Sequence, residues 1–404
     1  MKALRNLLDK VKPSFEPGGK LSAFQSVFDG FETFLFVPNT TSKTGTHIHD
    51  SIDSKRVMSM VVLALIPALL FGMYNVGYQH YLAIGTLPSV SFGEIFGFGF
   101  LAVLPKVIVS YLVGLGIEFV VAQWKHEEIQ EGYLVSGMLI PLILPVECPL
   151  WIMSIAIAFA VIFAKEVFGG TGRNIFNVAL ITRAFLFFAY PSQMSGDGVW
   201  VKTGSVFGIG GGQLVDGFSG ATPLGQLMTT QSGTAHLTGI TGNALSTSDM
   251  LIGLIPGSIG ETSVIAIALG AILLLATGIA SWKIMASVFV GGSLTALMFN
   301  AIGTSPSMLL PWYEHMLLGG FAFGAVFMAT DPVTSARTEN GKYIFGLLLG
   351  FMAVVIRVLN PGYPEGMMLA ILLLNLFAPL IDYVVVQKNI TRRLNRAKVT
   401  NDKK

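Results

Sequence analysis

Ten runs of apolar residues leave this chain few ways to fold. A helix that crosses the hydrocarbon core of a bilayer needs about 20 predominantly apolar residues. Runs near that length occur at 57–76, 97–123, 132–146, 150–168, 174–190, 263–280, 284–302, 315–330, 343–359 and 366–386. Only 12% of the residues are charged, about half the share of a soluble domain, so the chain lacks the polar surface to enclose these runs in water. The pattern predicts an all-α polytopic membrane protein of about ten transmembrane helices. Some runs are short or interrupted. The third carries Pro141 and Pro145 and is followed by Pro149, and the eighth ends at Asp331-Pro332. Short, proline-broken segments at matching places in two halves read as half-helices at a repeat interface.

Lysine and arginine set the orientation, because short cytoplasmic loops carry the excess of positive charge. Residues 1–56 hold Lys2, Arg5, Lys10, Lys12, Lys20, Lys43, Lys55 and Arg56, and the tail holds Lys388, Arg392, Arg393, Arg396, Lys398, Lys403 and Lys404. Both termini are therefore expected in the cytoplasm, which requires an even number of spans. Lys125, Lys165, Arg173, Lys283, Arg337 and Lys342 fall in loops that ten spans place on the same side, whereas the central stretch 191–262 holds only Lys202. The expected organisation is a cytoplasmic extension at 1–56, a first five-helix membrane repeat at 57–190, an outer loop at 191–262, a second five-helix repeat at 263–387 and a basic cytoplasmic tail at 388–404. An odd number of spans per half makes the two repeats inverted. Residues 1–56 are polar and mixed in charge and do not read as a cleavable signal.

Several chemistries are excluded. The single Cys148 permits no internal disulfide and no Cys-ligated iron–sulfur cluster. The six histidines include no i, i+4 pair; His47 and His49 are i, i+2, so no metal site is expected. No strand–turn–helix unit precedes the glycines at 169–172, which rules out a dinucleotide fingerprint there. No nucleic-acid partner is expected.

Intramembrane acids are candidates for ion handling, since a carboxylate near the bilayer centre costs about 2.5–3.5 kcal/mol on insertion scales. Glu118 falls in the second run, Asp331 at the break after the eighth and Asp382 near the inner end of the tenth. Asp331 reads equally as a turn residue before Pro332, and Asp382 equally as an interfacial, solvated acid. Glu166 adjoins Lys165 and reads as its partner. In GGTGRNIFN (169–177), Asn174 and Asn177 are three apart and share a helix face. They read either as ligand contacts beside a glycine-rich backbone or as caps of a helix-connecting turn.

The stretch Asp216-Gly217-Phe218-Ser219-Gly220-Ala221-Thr222 resembles the flavin-attachment motif of the sodium-translocating NADH:quinone reductase family and its Rnf relatives. Other strings resemble the flavin-bearing membrane subunit of that family: FEPGGK (15–20), DSIDSKR (50–56), AKEVFGGTGRN (164–174), RAFLFFAYP (183–191), IPGSIGE (255–261), LGGFAFG (318–324), ATDPV (329–333), YPEGMMLAIL (363–372) and NLFAPLID (375–382). They run in order along nearly the whole chain, and the FEPGGK extension favours this subunit over its Rnf counterpart. One departure is Gly114-Leu115, where the family has a Gly-Gly pair before the span-two acid.

The resemblance implies covalent FMN esterified through its phosphate to Thr222, with Asp216, Ser219, Gly220 and Ala221 completing the motif. It implies a second flavin, riboflavin, near Asn174 and Asn177, whose amides suit the uracil-like edge of an isoalloxazine. It implies roles in sodium handling for Glu118, Asp331 and Asp382, and a fold similar to urea and ammonium channels. It also implies a bacterial inner-membrane complex containing a second FMN subunit, a subunit with NADH, FAD and 2Fe-2S sites, ubiquinone, Na+ and lipid. Such a subunit is redox-active yet not catalytic alone. Two alternatives stay open: the Rnf counterpart, coupling ferredoxin and NAD, and a secondary transporter or channel.

Overall fold

The computed structural model describes residues 2–16, 18–19, 21–36, 44–46, 52–125, 132–229 and 237–401. His47, His49, His126 and His236 lie outside the described residues, as does most of the 124–131 loop. Two short helices come first, α1 (Lys2–Val11) and α2 (Gln25–Leu35). The first half then contains α3 (Ser54–Ala83), α4 (Phe92–Lys125), α5 (Tyr133–Ile143), α6 (Leu150–Phe159) and α7 (Val178–Ala189). The central stretch holds α8 (Pro223–Thr229) and α9 (Thr247–Ile252). The second half contains α10 (Val264–Ala276), α11 (Trp282–Ile302), α12 (Pro306–Leu309), α13 (Trp312–Leu317), α14 (Phe321–Phe323), α15 (Glu339–Leu359) and α16 (Met367–Asn401). A π-helical turn extends α6 (Ala160–Lys165), and another extends α14 (Gly324–Met328).

Every predicted apolar run contains helix, but the lengths divide them. Six helical segments, including α6 with its extension to Phe168, are long and apolar enough to span a bilayer. Those in the third, fifth and sixth runs have only 11, 12 and 13 residues. Non-helical backbone is tolerated at membrane depth only where protein covers it and satisfies its polar groups, and the two helix breaks show how this is done.

The first break, Leu144–Pro149, separates α5 from α6 at the prolines. The stretch leading into α10 runs back along it, with Gly260 N–H donating to the Leu142 carbonyl at 2.7 Å and Ile259 N–H to Leu144 at 3.3 Å. Lys106 of α4 is buried and donates to the carbonyl of Cys148. The second break falls at Leu318–Gly320, inside the eighth run and earlier than its Asp331-Pro332 end. Gly319 and Gly320 have φ of +62° and +66°, a left-handed conformation that glycine alone adopts without strain.

Arg357 of α15 covers the freed carbonyls of α13. It donates to His315, to Leu318 at 3.1 Å and to Gly319 at 3.4 Å, and also to Glu365 O at 3.1 Å. On the other side of the break, the Glu261 carboxyl carbon lies 2.7 Å from where a Cβ on Gly320 would stand. Arg183 of α7 donates to both Glu261 oxygens, at 3.0 and 3.1 Å, and to the Glu365 carboxylate. Two guanidiniums and two carboxylates thus close the break as a buried group of balanced charge. Removing one member of a buried pair leaves its partner uncompensated.

At the end of the 191–262 loop, Ile255, Ser258, Ile259, Glu261 and Thr262 are buried between the halves. One sequence expectation changes. Lys165 is not a loop lysine. It is buried in the π-helical turn and pairs with Glu118, while Glu166 pairs with Lys125 at 3.4 Å. The wider π turn re-aims Lys165 inward, which adjacency to Glu166 in sequence does not reveal.

The bundle has two distinct ends. Lys125–Glu166, Lys283–Glu339 and Lys342–Glu339 ion pairs gather at one. Lys202 is at the other, paired with Glu147 at 2.8 Å, and its carbonyl accepts from His80 Nδ1 at 2.6 Å. If Arg183 holds the break together, Arg183→Gln should destabilise the purified protein by about 3–5 kcal/mol, read as a drop in its detergent melting temperature. An unchanged melting curve would show that the break is held by packing instead.

Candidate functional site

Thr222 stands at the start of α8. Its Oγ1 accepts from Gly225 N–H at 3.1 Å, a capping bond that satisfies a free donor of the first turn. The residue is 9% exposed, while Asp216 on the same loop is open to solvent. Ser219 donates to Asp197 Oδ2 at 3.3 Å and accepts from Ala221 N–H at 3.4 Å. Gly220 is required by close approach, because a Cβ there would collide with the Asp197 carbonyl. A Cβ on Gly225 would come 3.1 Å from Thr222 Oγ1, so glycine at 225 keeps one side of that hydroxyl open. Leu224 anchors the loop to the bundle, its Cδ1 filling the space that a Cβ on Gly319 would need.

A second site lies at the lysine-rich end, where a cavity of about 90 Å³ is bounded by both halves. Its wall includes Val57 of α3, Ser136 of α5, Lys165, Asn174, Asn177, Thr330 and Asp331. Asn177 caps α7, its Oδ1 accepting from Ala179 N–H at 3.0 Å and Leu180 N–H at 3.3 Å. Asp331 caps a turn in a related way, accepting from Val333 N–H at 3.0 Å and from the Thr334 hydroxyl at 3.1 Å. The two caps meet across the halves, with Asn177 Nδ2 donating to Asp331 Oδ2 at 3.3 Å. Three neutral donors thus face the Asp331 carboxylate.

Asp382 and Glu118 are not part of this cavity. Asp382 accepts from Arg337 N–H at 2.8 Å, Thr338 N–H at 2.9 Å and the Thr338 hydroxyl at 2.6 Å. It thus ties α16 to the start of α15. Glu118 is buried in α4 beside Lys165. At the departure from the family pattern, the Tyr133 ring lies over Gly114, where a Cβ would clash with it, and Leu115 is half-buried.

Residues 41–391 match the model of the NQR2, RnfD, RnfE family. The chain belongs to that family. Relatives include NqrB, a subunit of the Na(+)-translocating NADH-quinone reductase, from Pseudomonas aeruginosa, 44% identical over 97% of this chain and 99% of the relative. Those of Chromohalobacter salexigens (45%; 97% and 96%) and Haemophilus influenzae (44%; 97% and 99%) are similar along their lengths too.

The two flavin sites that the family resemblance implies differ in fit. The Thr222 hydroxyl, with an N–H donor beside it and glycine on its open side, suits a phosphoester. Asn174 and Asn177 do not offer a free flavin edge. Asn174 donates to Phe176 O at 3.0 Å and accepts from Gly172 N–H at 3.3 Å, and Asn177 is committed as described. The cavity is also well below the about 300–1,000 Å³ of a cofactor pocket. Riboflavin does not fit these residues as arranged. Asp197, Gln226 and Thr238 frame the Thr222 loop from positions that no motif singled out; only tertiary contact brings them there.

The paired caps make a specific prediction. Asn177→Asp sets two carboxylates face to face, and Asp331→Asn places an amide donor where an acceptor stood. Each single change should cost about 1–3 kcal/mol, while the swap Asn177→Asp with Asp331→Asn restores one donor and one acceptor. Melting temperatures of the three variants test this. A double variant as unstable as the sum of the singles would contradict the pairing.

Proposed function

We propose that this chain is the flavin-bearing membrane subunit of a sodium-translocating NADH:quinone reductase. The observation that carries the reading is the end-to-end similarity to proteins named as one and the same subunit of that enzyme, joined to a Thr222 hydroxyl whose surroundings suit a phosphoester. The same similarity favours this enzyme over the Rnf counterpart and over a plain transporter. The subunit works within a multi-subunit complex of the bacterial inner membrane. NADH oxidation belongs to partner subunits with FMN, FAD and iron–sulfur sites, and ubiquinone receives the electrons.

FMN bound as a phosphoester would supply electron transfer at Thr222. The chain's own residues hold and orient: Thr222 Oγ1 provides the attachment atom, Gly225 N–H lies beside the phosphate position, and Leu224 fixes α8 to the Gly319–Gly320 break. Both termini are cytoplasmic in this reading, and the Thr222 end faces the periplasm. Asp331, half-buried where the two caps meet, is the leading candidate on the sodium path, with Glu118 and Asp382 as further acids.

Thr222→Ala should leave the denatured chain without flavin fluorescence while the complex still assembles, and fluorescence that persisted on the denatured variant would refute the attachment site. A cysteine introduced at Lys202 should react with an impermeant thiol reagent added to the periplasmic side, and one at Lys283 only after the inner face is opened; the reverse pattern would overturn the orientation. Asp331→Asn should weaken sodium stimulation of turnover, whereas an unchanged sodium titration would return Asp331 to a purely capping role.

A further inference from the structure

Gln226 occupies an unusual place relative to Thr222. It lies one helical turn after it on α8, and its backbone N–H donates to the Thr222 carbonyl at 3.0 Å. Its side-chain Nε2 reaches back to the carbonyl of Ala221 at 3.3 Å, the residue just before Thr222. One residue therefore grips the carbonyls on both sides of the acceptor threonine. The same amide spans a gap to another segment. Nε2 donates to Thr238 O at 2.8 Å, while Oε1 accepts from Thr238 N–H at 3.0 Å and from the Thr238 hydroxyl at 3.2 Å.

The segment that Gln226 engages is itself braced. Leu245 N–H donates to Leu237 O at 2.9 Å and Gly239 N–H to Asn243 O at 2.7 Å, closing a small two-limbed turn. Ser219 N–H donates to Ile240 O at 3.1 Å, so this turn meets the attachment loop on both sides of Ala221–Thr222. A β-hydroxyl follows its backbone. With the peptide units before and after Thr222 both held, the direction of the Cα–Cβ bond is fixed against the rest of the fold.

We infer that Gln226 is a positioning residue for flavin attachment, a latch whose side-chain amide ties the Ala221 carbonyl to the Thr238 turn while its backbone N–H holds the Thr222 carbonyl. This rests on the reading of Thr222 as the attachment site. The attachment step forms a bond between Thr222 Oγ1 and a flavin phosphorus and breaks the pyrophosphate bond of a flavin dinucleotide donor. It releases the nucleoside monophosphate and the threonine proton, and no electrons change hands. Reactions of this kind depend steeply on orientation of the nucleophile. The latch acts before and during attachment and touches neither flavin nor donor.

The test uses the full chain expressed with its partner subunits and measures covalent flavin per chain in assembled complex, at early times after induction, by mass spectrometry of the peptide containing Thr222. Gln226→Ala removes the side-chain grip and should slow attachment by roughly five- to thirty-fold, the scale of one or two net hydrogen bonds. Gln226→Glu keeps the two bonds accepted from Thr238 and the backbone bond to Thr222, but its side chain donates to neither the Ala221 nor the Thr238 carbonyl; it should be nearly as slow as Gln226→Ala. Thr229→Gly loosens the far end of α8 and removes one hydroxyl bond to the Gln226 backbone carbonyl, but leaves every side-chain bond of Gln226 in place; it should attach flavin at the wild-type rate. Normal attachment in both Gln226 variants would overturn the inference. Normal attachment in Gln226→Glu alone would also overturn it, since tethering to Thr238 would then suffice without the Ala221 carbonyl. Equal slowing in Thr229→Gly would overturn it by showing that general loosening of α8 is enough. A wild-type chain with no flavin on Thr222 would refute the underlying reading, and the latch with it.

Discussion

The buried group formed by Arg183, Glu261, Glu365 and Arg357 is the contact on which the second helix break depends. A helix broken inside a membrane protein frees carbonyls on one side and N–H groups on the other. Here Arg357 takes the carbonyls of His315, Leu318 and Gly319, and the Glu261 carboxylate packs against Gly320. Arg183 then ties Glu261 to Glu365 and so joins α7, the segment before α10 and the segment before α16. Any one of these charges alone would be costly to bury. Together they let two short helices end face to face in the interior while the carbonyls freed at the break keep partners.

That arrangement reaches the functional loop through apolar packing. Leu224 packs where Gly319 leaves room, so α8, and Thr222 at its start, are mounted on the break rather than on a free surface loop. The other end of the bundle is organised by hydrogen bonds between the halves, with the Asn177 and Asp331 caps facing each other over a small polar cavity. In the proposed reading, a flavin on Thr222 stands at one end and the Asp331 carboxylate lines a cavity at the other.

Much of this was legible in the sequence. Apolar runs located the helical segments of the two halves except the four-residue α12, because the bilayer length rule acts on local composition alone. Pro145 and Pro149 marked the first break, since proline cannot donate and interrupts the ladder, whereas Pro141 sits inside α5. The second break was harder to place: Gly319-Gly320 carries no proline, and Asp331-Pro332 downstream drew attention to the wrong end of the run. The Glu118–Lys165 pair was hidden because a π turn changes which side chains share a face. The Asn177–Asp331 contact spans 154 positions and joins two halves with no local signal. Asn177 and Asp331 were nevertheless found as candidates, because an amide or acid at the edge of an apolar run stands out whatever it contacts.

The most direct test of the account is a map of the covalently bound flavin on the wild-type chain, taken from the assembled complex and read by fragmentation of its peptides. The account predicts FMN joined through a single phosphoester to Thr222, with the neighbouring Ser219 unmodified. A fully active complex with an unmodified Thr222, or with the flavin on any other residue, would contradict it.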